Sequence, residues 1–285
     1  MWWSIAAGVS IVLFAVREMF NDLFHPTNSG ALSEWVASGV FRLLRRWRSM
    51  LATAGPLSVA LVIGSWALLL ATGFSLVYWP FFPGSYRLTA LPQNAHQGYF
   101  WLSYYYSLEM LTTLGLGDIQ PMPIGLRLLS ALHTLLGFSL ITASITWIVL
   151  VFPALRRMRT LARKANTLLE AERRTGVPVV SPGMHMVLAG LSEEVIQTRV
   201  DLIHFPLLFY FYTDDARASL PGALFPLMRF AAEGASPDRD ALVRLTCTGL
   251  TVALQDLAAL IGDRLECEDH SPDTVFRVFA ELHSP

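Results

Sequence analysis

The sequence predicts an all-α membrane protein. It has two long apolar spans around a short re-entrant helix, an extra hydrophobic helix before them, and a helical domain after them. Three observations predict this class. Hydrophobic residues make up 53% of the 285 and charged residues only 15%, whereas a soluble domain carries about a quarter charged. The charges are also unevenly placed: between Pro56 and Phe152 only Arg87, Glu109, Asp118 and Arg127 are charged, while 31 charged side chains follow Phe152. Finally, Leu57 to Trp79 is a 23-residue run without charge, and Ile124 to Phe152 carries only Arg127 near its start. Each is long enough for a helix to cross a hydrocarbon core.

Residues 1–27 form the first segment. Trp2 to Val16 is uncharged and Arg17 ends the run. Extended to Phe20, such a helix just reaches across about 30 Å of hydrocarbon; a helix lying in the interface is the alternative. Trp2 and Trp3 suit an interfacial anchor. The start lacks a basic stretch and a small-residue cleavage site, so no removable leader is expected.

Residues 28–56 open on the breaker Asn28-Ser29-Gly30. Trp35, Val36, Val40, Leu43, Leu44 and Trp47 then alternate with Arg42, Arg45, Arg46 and Arg48. Arginines at 42, 45 and 48 have the spacing of a voltage sensor, but a sensor array sits inside a long apolar helix. An amphipathic helix with its arginines at lipid phosphates fits better. Residues 57–153 are the two-span module, with an outer helix at 57–79 and an inner helix at 124–152. Arginines cluster before the first span (42 to 48) and after the second (Arg156, Arg157, Arg159, Arg163, with Lys164). Positive charge marks the cytoplasmic side. Both flanks are therefore expected inside and residues 80–123 outside, in a multi-pass protein of the cell (inner) membrane.

The outer segment re-enters. Phe100 to Leu111 reads as a helix too short to cross, and Thr112-Thr113-Leu114-Gly115-Leu116-Gly117-Asp118 follows. Non-helical backbone at membrane depth is tolerated only when buried in protein or lining water. A filter for a dehydrated cation meets that condition. Successive carbonyls must turn toward one axis, which needs alternating left- and right-handed backbone, and glycine at every second position permits it. The carbonyls of Thr113, Leu114, Gly115 and Leu116 are the expected K+ ligands, with the Thr113 hydroxyl at the innermost ring. One chain supplies a quarter of each ring, so a homotetramer in the lipid bilayer is implied.

This segment resembles the pore of the potassium channel family, whose filter reads Thr-Val-Gly-Tyr-Gly followed by Asp. Tyr105-Tyr106-Ser107-Leu108-Glu109 is similar to the aromatic pair, serine and pore-helix glutamate of small bacterial two-helix channels. Glu109 precedes Asp118 by that group's nine residues, Pro121 also fits, and Gly137 stands where the family places an inner-helix hinge glycine. The resemblance covers residues 57 to 155. It implies a passive potassium-selective tetrameric channel braced behind its filter by Glu109 and Asp118, with Thr112 beside them. Two residues depart from the pattern. Leu114 stands for valine, and Leu116 for the aromatic residue that buttresses the filter, which implies weaker selectivity or rapid filter collapse.

Glu109 and Asp118 are expected to converge and share a proton, because two like charges in a poorly solvated place do not both ionise cheaply. On the inner helix Ser139, Thr142 and Thr146 share one face. They suit a hydrated cavity lining; the alternative is that their hydroxyls bond back to their own helix. His133 reads as a packed histidine. Gly137 suits a hinge or a close packing point, and Pro153 a bend into the tail.

Residues 154–285 read as a helical cytoplasmic regulatory domain. Helices are expected at Leu155–Arg174, Met184–Leu207, Ala216–Ala232, Asp238–Ile261 and Pro272–His283, with breaks at Pro182-Gly183, Pro221-Gly222 and residues 234–237. The apolar run 204–212 suits a bundle core, a subunit contact or a lipid-touching helix. Cys247 and Cys267 offer no disulfide framework, which fits a reduced compartment. Cys267, Asp269 and His270 lack a second cluster to complete a metal site. His185 and His204 suit packing or surface positions. No nucleophile–base set, phosphate loop or dinucleotide fingerprint occurs, so neither an enzyme nor an organic cofactor is expected, and no nucleic-acid partner. Alternatives to the selective channel are a weakly selective cation channel, a potassium transporter subunit, or a membrane-bound sensor with a vestigial pore.

Overall fold

The computed structural model describes residues 2–24, 30–44, 53–89 and 98–283. Asn28 and Ser29 of the expected breaker, Arg45, Arg46 and Arg48 of the basic segment, and loop residues 90–97 lie outside the described residues. The chain divides into two compact units, Met1–Ala37 with Ser58–Val149, and Ser38–Leu57 with Leu150–Pro285.

The first unit is built on long apolar helices. Helix α1 spans Trp2–Phe24. Its 23 residues extend about 34 Å at 1.5 Å per residue, and its apolar stretch Trp2–Asp22 is long enough to cross a membrane. It runs against α3, Ala54–Tyr78, through two glycines. A Cβ on Gly8 would sit 2.5 Å from the Gly73 carbonyl oxygen, and one on Gly73 would sit 3.0 Å from that of Gly8. Small residues allow such backbone approach between helices in lipid, where packing rather than hydrophobicity drives association. The start of α1 thus meets the end of α3, so the two run antiparallel. Length and this packing fit the spanning reading of α1.

The end of α1 holds the start of α2, Ala31–Leu44. Glu18 and Asp22, one turn apart, share a face. Glu18 Oε2 accepts the Leu32 N–H at 3.0 Å, Asp22 Oδ1 accepts the Gly30 N–H at 2.8 Å, and the Ser33 hydroxyl donates to Asp22 Oδ2. Two carboxylates therefore satisfy orphan amides of α2 and place negative charge at its positive end. In the sequence they read only as the close of an apolar run.

Helix α4 spans Tyr99–Leu111, and α5 begins at Ile124 and continues to Thr175. Here the bend expected at Pro153 does not end the helix. Pro153 lies inside one 52-residue helix, not between an inner helix and a separate basic helix. A proline removes one ladder hydrogen bond; the helix-forming residues on both sides complete the rest. A two-stranded antiparallel sheet, absent from the sequence reading, pairs β1 (Tyr86–Leu88) with β2 (Ile119–Pro121) in the register Tyr86↔Pro121, Arg87↔Gln120, Leu88↔Ile119.

The second unit is a helical bundle of α6 (His185–His204), α7 (Leu220–Gly234), α8 (Ala241–Arg264) and α9 (Pro272–His283), with the charged half of α5. Expected breaks shift locally. Pro221-Gly222 lies in the first turn of α7, where proline lacks only an N–H that would have had no partner. The run 204–212 leaves α6 and forms a 3-10 turn, Pro206–Tyr210, with Leu207, Leu208 and Phe209 buried, so it serves as bundle core. Helix α8 is long and apolar enough to cross a membrane, yet it packs on α6, α7 and α9. Val243, Cys247, Leu250, Leu254, Leu257 and Ile261 are buried there. Asp201, nearly fully buried, takes both Arg157 Nε and Nη2, at 2.8 and 2.7 Å, and Gln197 Nε2 at 3.1 Å. Burial pushes the Cys247 thiol above its ordinary range, which keeps it protonated.

Candidate functional site

Helix α4 is 13 residues long, too short to span, and its partners fix it from three directions. Three consecutive side chains reach three different neighbours. The Tyr105 hydroxyl donates to Asp118 Oδ2 at 3.1 Å. The Tyr106 hydroxyl lies 2.6 Å from Ser130 Oγ on α5, and Ser107 Oγ donates to the Ala71 carbonyl on α3 at 2.7 Å. Successive helical residues diverge by about 100°, so one tripeptide serves all three sides. Tyr78 and Tyr86 pack edge-on against Tyr106 at 5.1 and 5.3 Å.

The helix stops at a conformational switch. Thr112 closes its last turn, its hydroxyl donating to the Leu108 carbonyl at 2.8 Å, and Thr113 then takes a φ of +59°. Gly115 and Gly117 follow with φ of +58° and +77°. Leu114 and Leu116 between them keep negative φ, so the handedness alternates residue by residue from 113 to 117. That alternation turns successive carbonyls to one side of the strand. Among the described residues, the carbonyls of Thr113, Leu114, Gly115 and Leu116 accept no hydrogen bond. The row ends at Gly117, whose carbonyl accepts Gln120 Nε2 at 3.0 Å.

The back of this strand is tied down. The Leu114 N–H donates to the Glu109 carbonyl at 3.0 Å, and the Gly117 N–H to Glu109 Oε1 at 3.0 Å. Glu109 is buried, and among the described residues its Oε2 and Asp118 Oδ1 have no hydrogen-bond partner. The expected convergence of the two carboxyls takes another form. Each has its own partner, Gly117 for Glu109 and Tyr105 for Asp118, and no hydrogen bond joins them among the described residues. The sequence reading missed Thr89 and Gln120. The Thr89 N–H and hydroxyl both donate to the Asp118 carbonyl, at 2.9 and 3.2 Å. The β1–β2 pairing brings Thr89 there, and a three-residue strand leaves no periodic signal.

Gly137 is a contact point. A Cβ there would lie 2.1 Å from the Leu111 carbonyl oxygen, so α5 touches the end of α4 directly beneath the switch. Helix α5 runs unbroken through it. Ser139, Thr142 and Thr146 are exposed on the chain, and their hydroxyls bond back to the carbonyls four residues earlier, at 2.8, 3.0 and 2.9 Å. Their oxygens keep free lone pairs on that face. His133 is fully buried, stacked 3.7 Å from Phe74, with Nδ1 3.3 Å from the Tyr78 hydroxyl. In the tail, Asp269 accepts the Ser271 N–H and the Ser271 and Thr274 hydroxyls at the start of α9, and His270 Nε2 lies 3.1 Å from Asp263 Oδ1. Among the described residues no cluster of three metal-ligating side chains forms.

Residues 62–152 match the family model described as Ion channel. The match holds α4, the alternating strand and the apolar part of α5, which supports an ion-channel segment in a multi-pass membrane protein. An uncharacterized membrane protein, YdjJ, of Bacillus subtilis (strain 168) is 27% identical over 138 residues. That stretch is 48% of this chain and 39% of the relative, so the similarity spans about two fifths of that protein's length. No solved structure matches.

Proposed function

We propose that this chain is one subunit of a homotetrameric, potassium-selective channel of the cell (inner) membrane, with its filter at Thr113, Leu114, Gly115, Leu116 and Gly117. One observation carries the reading. Four consecutive carbonyls that accept no hydrogen bond among the described residues stand on a backbone that alternates handedness at Thr113, Gly115 and Gly117. A ring of such oxygens replaces the water shell of a potassium ion. The ion-channel family match supports the same reading and points to a passive, non-enzymatic protein. K+ in the pore is its cargo. In this reading the tail is cytoplasmic, which the arginines after Phe152 support. In this reading Ser139, Thr142 and Thr146 line the cavity below the filter, and Gly137 seats the inner helix against the pore helix and serves as its hinge.

A weakly selective cation channel is the second reading, and Leu116 favours it. The residue is 61% exposed on the chain, and its side chain has no hydroxyl with which to hold the filter at fixed width. Purified protein in liposomes tests both. Potassium flux without partner or energy supply is expected, with a reversal potential near that of potassium in mixed potassium and sodium. Equal permeability selects the second reading, and absence of flux overturns both.

A further inference from the structure

Where the apolar stretch of α5 gives way to charge, the second unit holds a pocket of about 510 Å³. Arg156, Arg159 and Thr160 form one wall, and Phe152, Pro56 and Phe211 supply apolar surface. Arg163 also lines the pocket, and it and the neighbouring cations on the helix are paired. Arg157 pairs with Asp201, Arg163 with Asp215 and Lys164 with Glu194. Among the described residues, Arg156 and Arg159 form no ion pair. Two guanidinium groups that form no ion pair among the described residues therefore share a cavity with exposed phenyl and prolyl surface.

We propose that this pocket binds the phosphate headgroup of an anionic phospholipid, with the upper acyl chain lying along Phe152 and Pro56. Guanidinium groups present paired donors that match two oxygens of a phosphodiester, and basic pockets at the cytoplasmic edge of spanning helices attract anionic headgroups. The apolar share of the lining decides against a free anion. Phe152 is 46% exposed, at the end of the 124–152 apolar run and four residues before the first arginine of the pocket. That vertical order of apolar surface and then cation matches a lipid, and a soluble phosphate makes no use of it. The proposal rests on the reading that residues 57–152 span a membrane.

Native mass spectrometry of the full chain in micelles tests it, with dioleoyl phosphatidylglycerol, dioleoyl phosphatidylcholine or inorganic phosphate added separately. Retention of phosphatidylglycerol over phosphatidylcholine is expected. Arg156→Gln and Arg159→Gln should each weaken it roughly fivefold, the effect of one basic residue near a charged surface. Arg156→Lys should weaken it less. Arg173→Gln, which removes the same charge from the same helix outside the pocket, should leave retention unchanged. Equal loss in Arg173→Gln, equal retention of the two lipids, or an adduct with inorganic phosphate and none with phosphatidylglycerol each overturns the proposal. Unfolding midpoints of the variants should match that of the parent, so lost binding reports the pocket and not the fold. Binding is read without conduction, so failed ion flux leaves this result standing, and failed binding leaves the channel reading standing.

Discussion

At Glu109 one carboxylate decides how firmly the strand from 113 to 117 is held. Its Oε1 is the acceptor for the Gly117 N–H, and its own backbone carbonyl takes the Leu114 N–H. The side chain thus anchors the outer part of the strand and the main chain anchors the inner part. Truncation in Glu109→Ala removes only the side-chain anchor. The Gly117 amide then lacks its acceptor, a loss worth about 1–3 kcal/mol where water does not replace it. The expected outcome is a pore that still assembles but whose current decays at a different rate in planar bilayers. Glu109→Gln keeps an acceptor oxygen and should decay nearly as the parent does; identical decay in Glu109→Ala would remove Glu109 from the mechanism. Much of this was legible in the residues. The glycine spacing of Gly115 and Gly117 foretold positive φ, and Tyr105, Ser107 and Glu109 stood out as a group. Their partners did not. Which atom Tyr105 or Glu109 reaches depends on distances between elements, and residue spacing along one helix carries no such information.

Among the elements, the contact of α5 with α4 has little tolerance, because backbone atoms form it. Gly137 and Gly125 lie on the same helix in opposite circumstances: a Cβ at Gly137 would collide with the Leu111 carbonyl, whereas one at Gly125 would have nothing within 4 Å. Alanine favours the helix over glycine by about 1 kcal/mol. Gly125→Ala should therefore raise the thermal unfolding midpoint in detergent. Gly137→Ala carries the same propensity gain, but α5 must also withdraw from backbone atoms, and overpacking of this kind costs about 1–3 kcal/mol. A lower midpoint is expected for Gly137→Ala. A hinge alone would leave stability unchanged or raised and alter only opening, so an unchanged midpoint with altered gating would argue for the hinge over the packing role. The continuity of α5 through Pro153 could not be read in advance. Proline weighs locally against a helix, and only the ladder on both sides outweighs it. The α1–α2 corner escaped for a related reason, since Glu18 and Asp22 act on amides eight or more residues away.

At the scale of the whole molecule, the apolar faces and the strand between α4 and β2 make different demands. Leu128, Leu132, Leu135 and Phe138 are each about 60% exposed on α5. In water such a face would call for a partner, but lipid tails are as apolar as leucine, so these side chains alone require no assembly. The backbone is different. Among the described residues the carbonyls of Thr113 to Leu116 have no hydrogen-bond partner, and Leu114 and Leu116 are each 61% exposed. Polar backbone at membrane depth cannot face hydrocarbon without a cost of several kcal/mol per group. Protein and water must cover it, and one chain cannot enclose its own strand. In the proposed channel, closed symmetry around that strand satisfies every copy equally, and a cation shell of carbonyl rings calls for four copies. Native mass spectrometry in detergent should therefore give a particle of four times the 31.7 kDa chain. Replacing Gly115 or Gly117 with valine, which strains a positive φ, should abolish flux while the four-chain particle survives on its helix contacts. A monomer as the stable conducting species would contradict the four-chain arrangement, because no second copy would cover those oxygens.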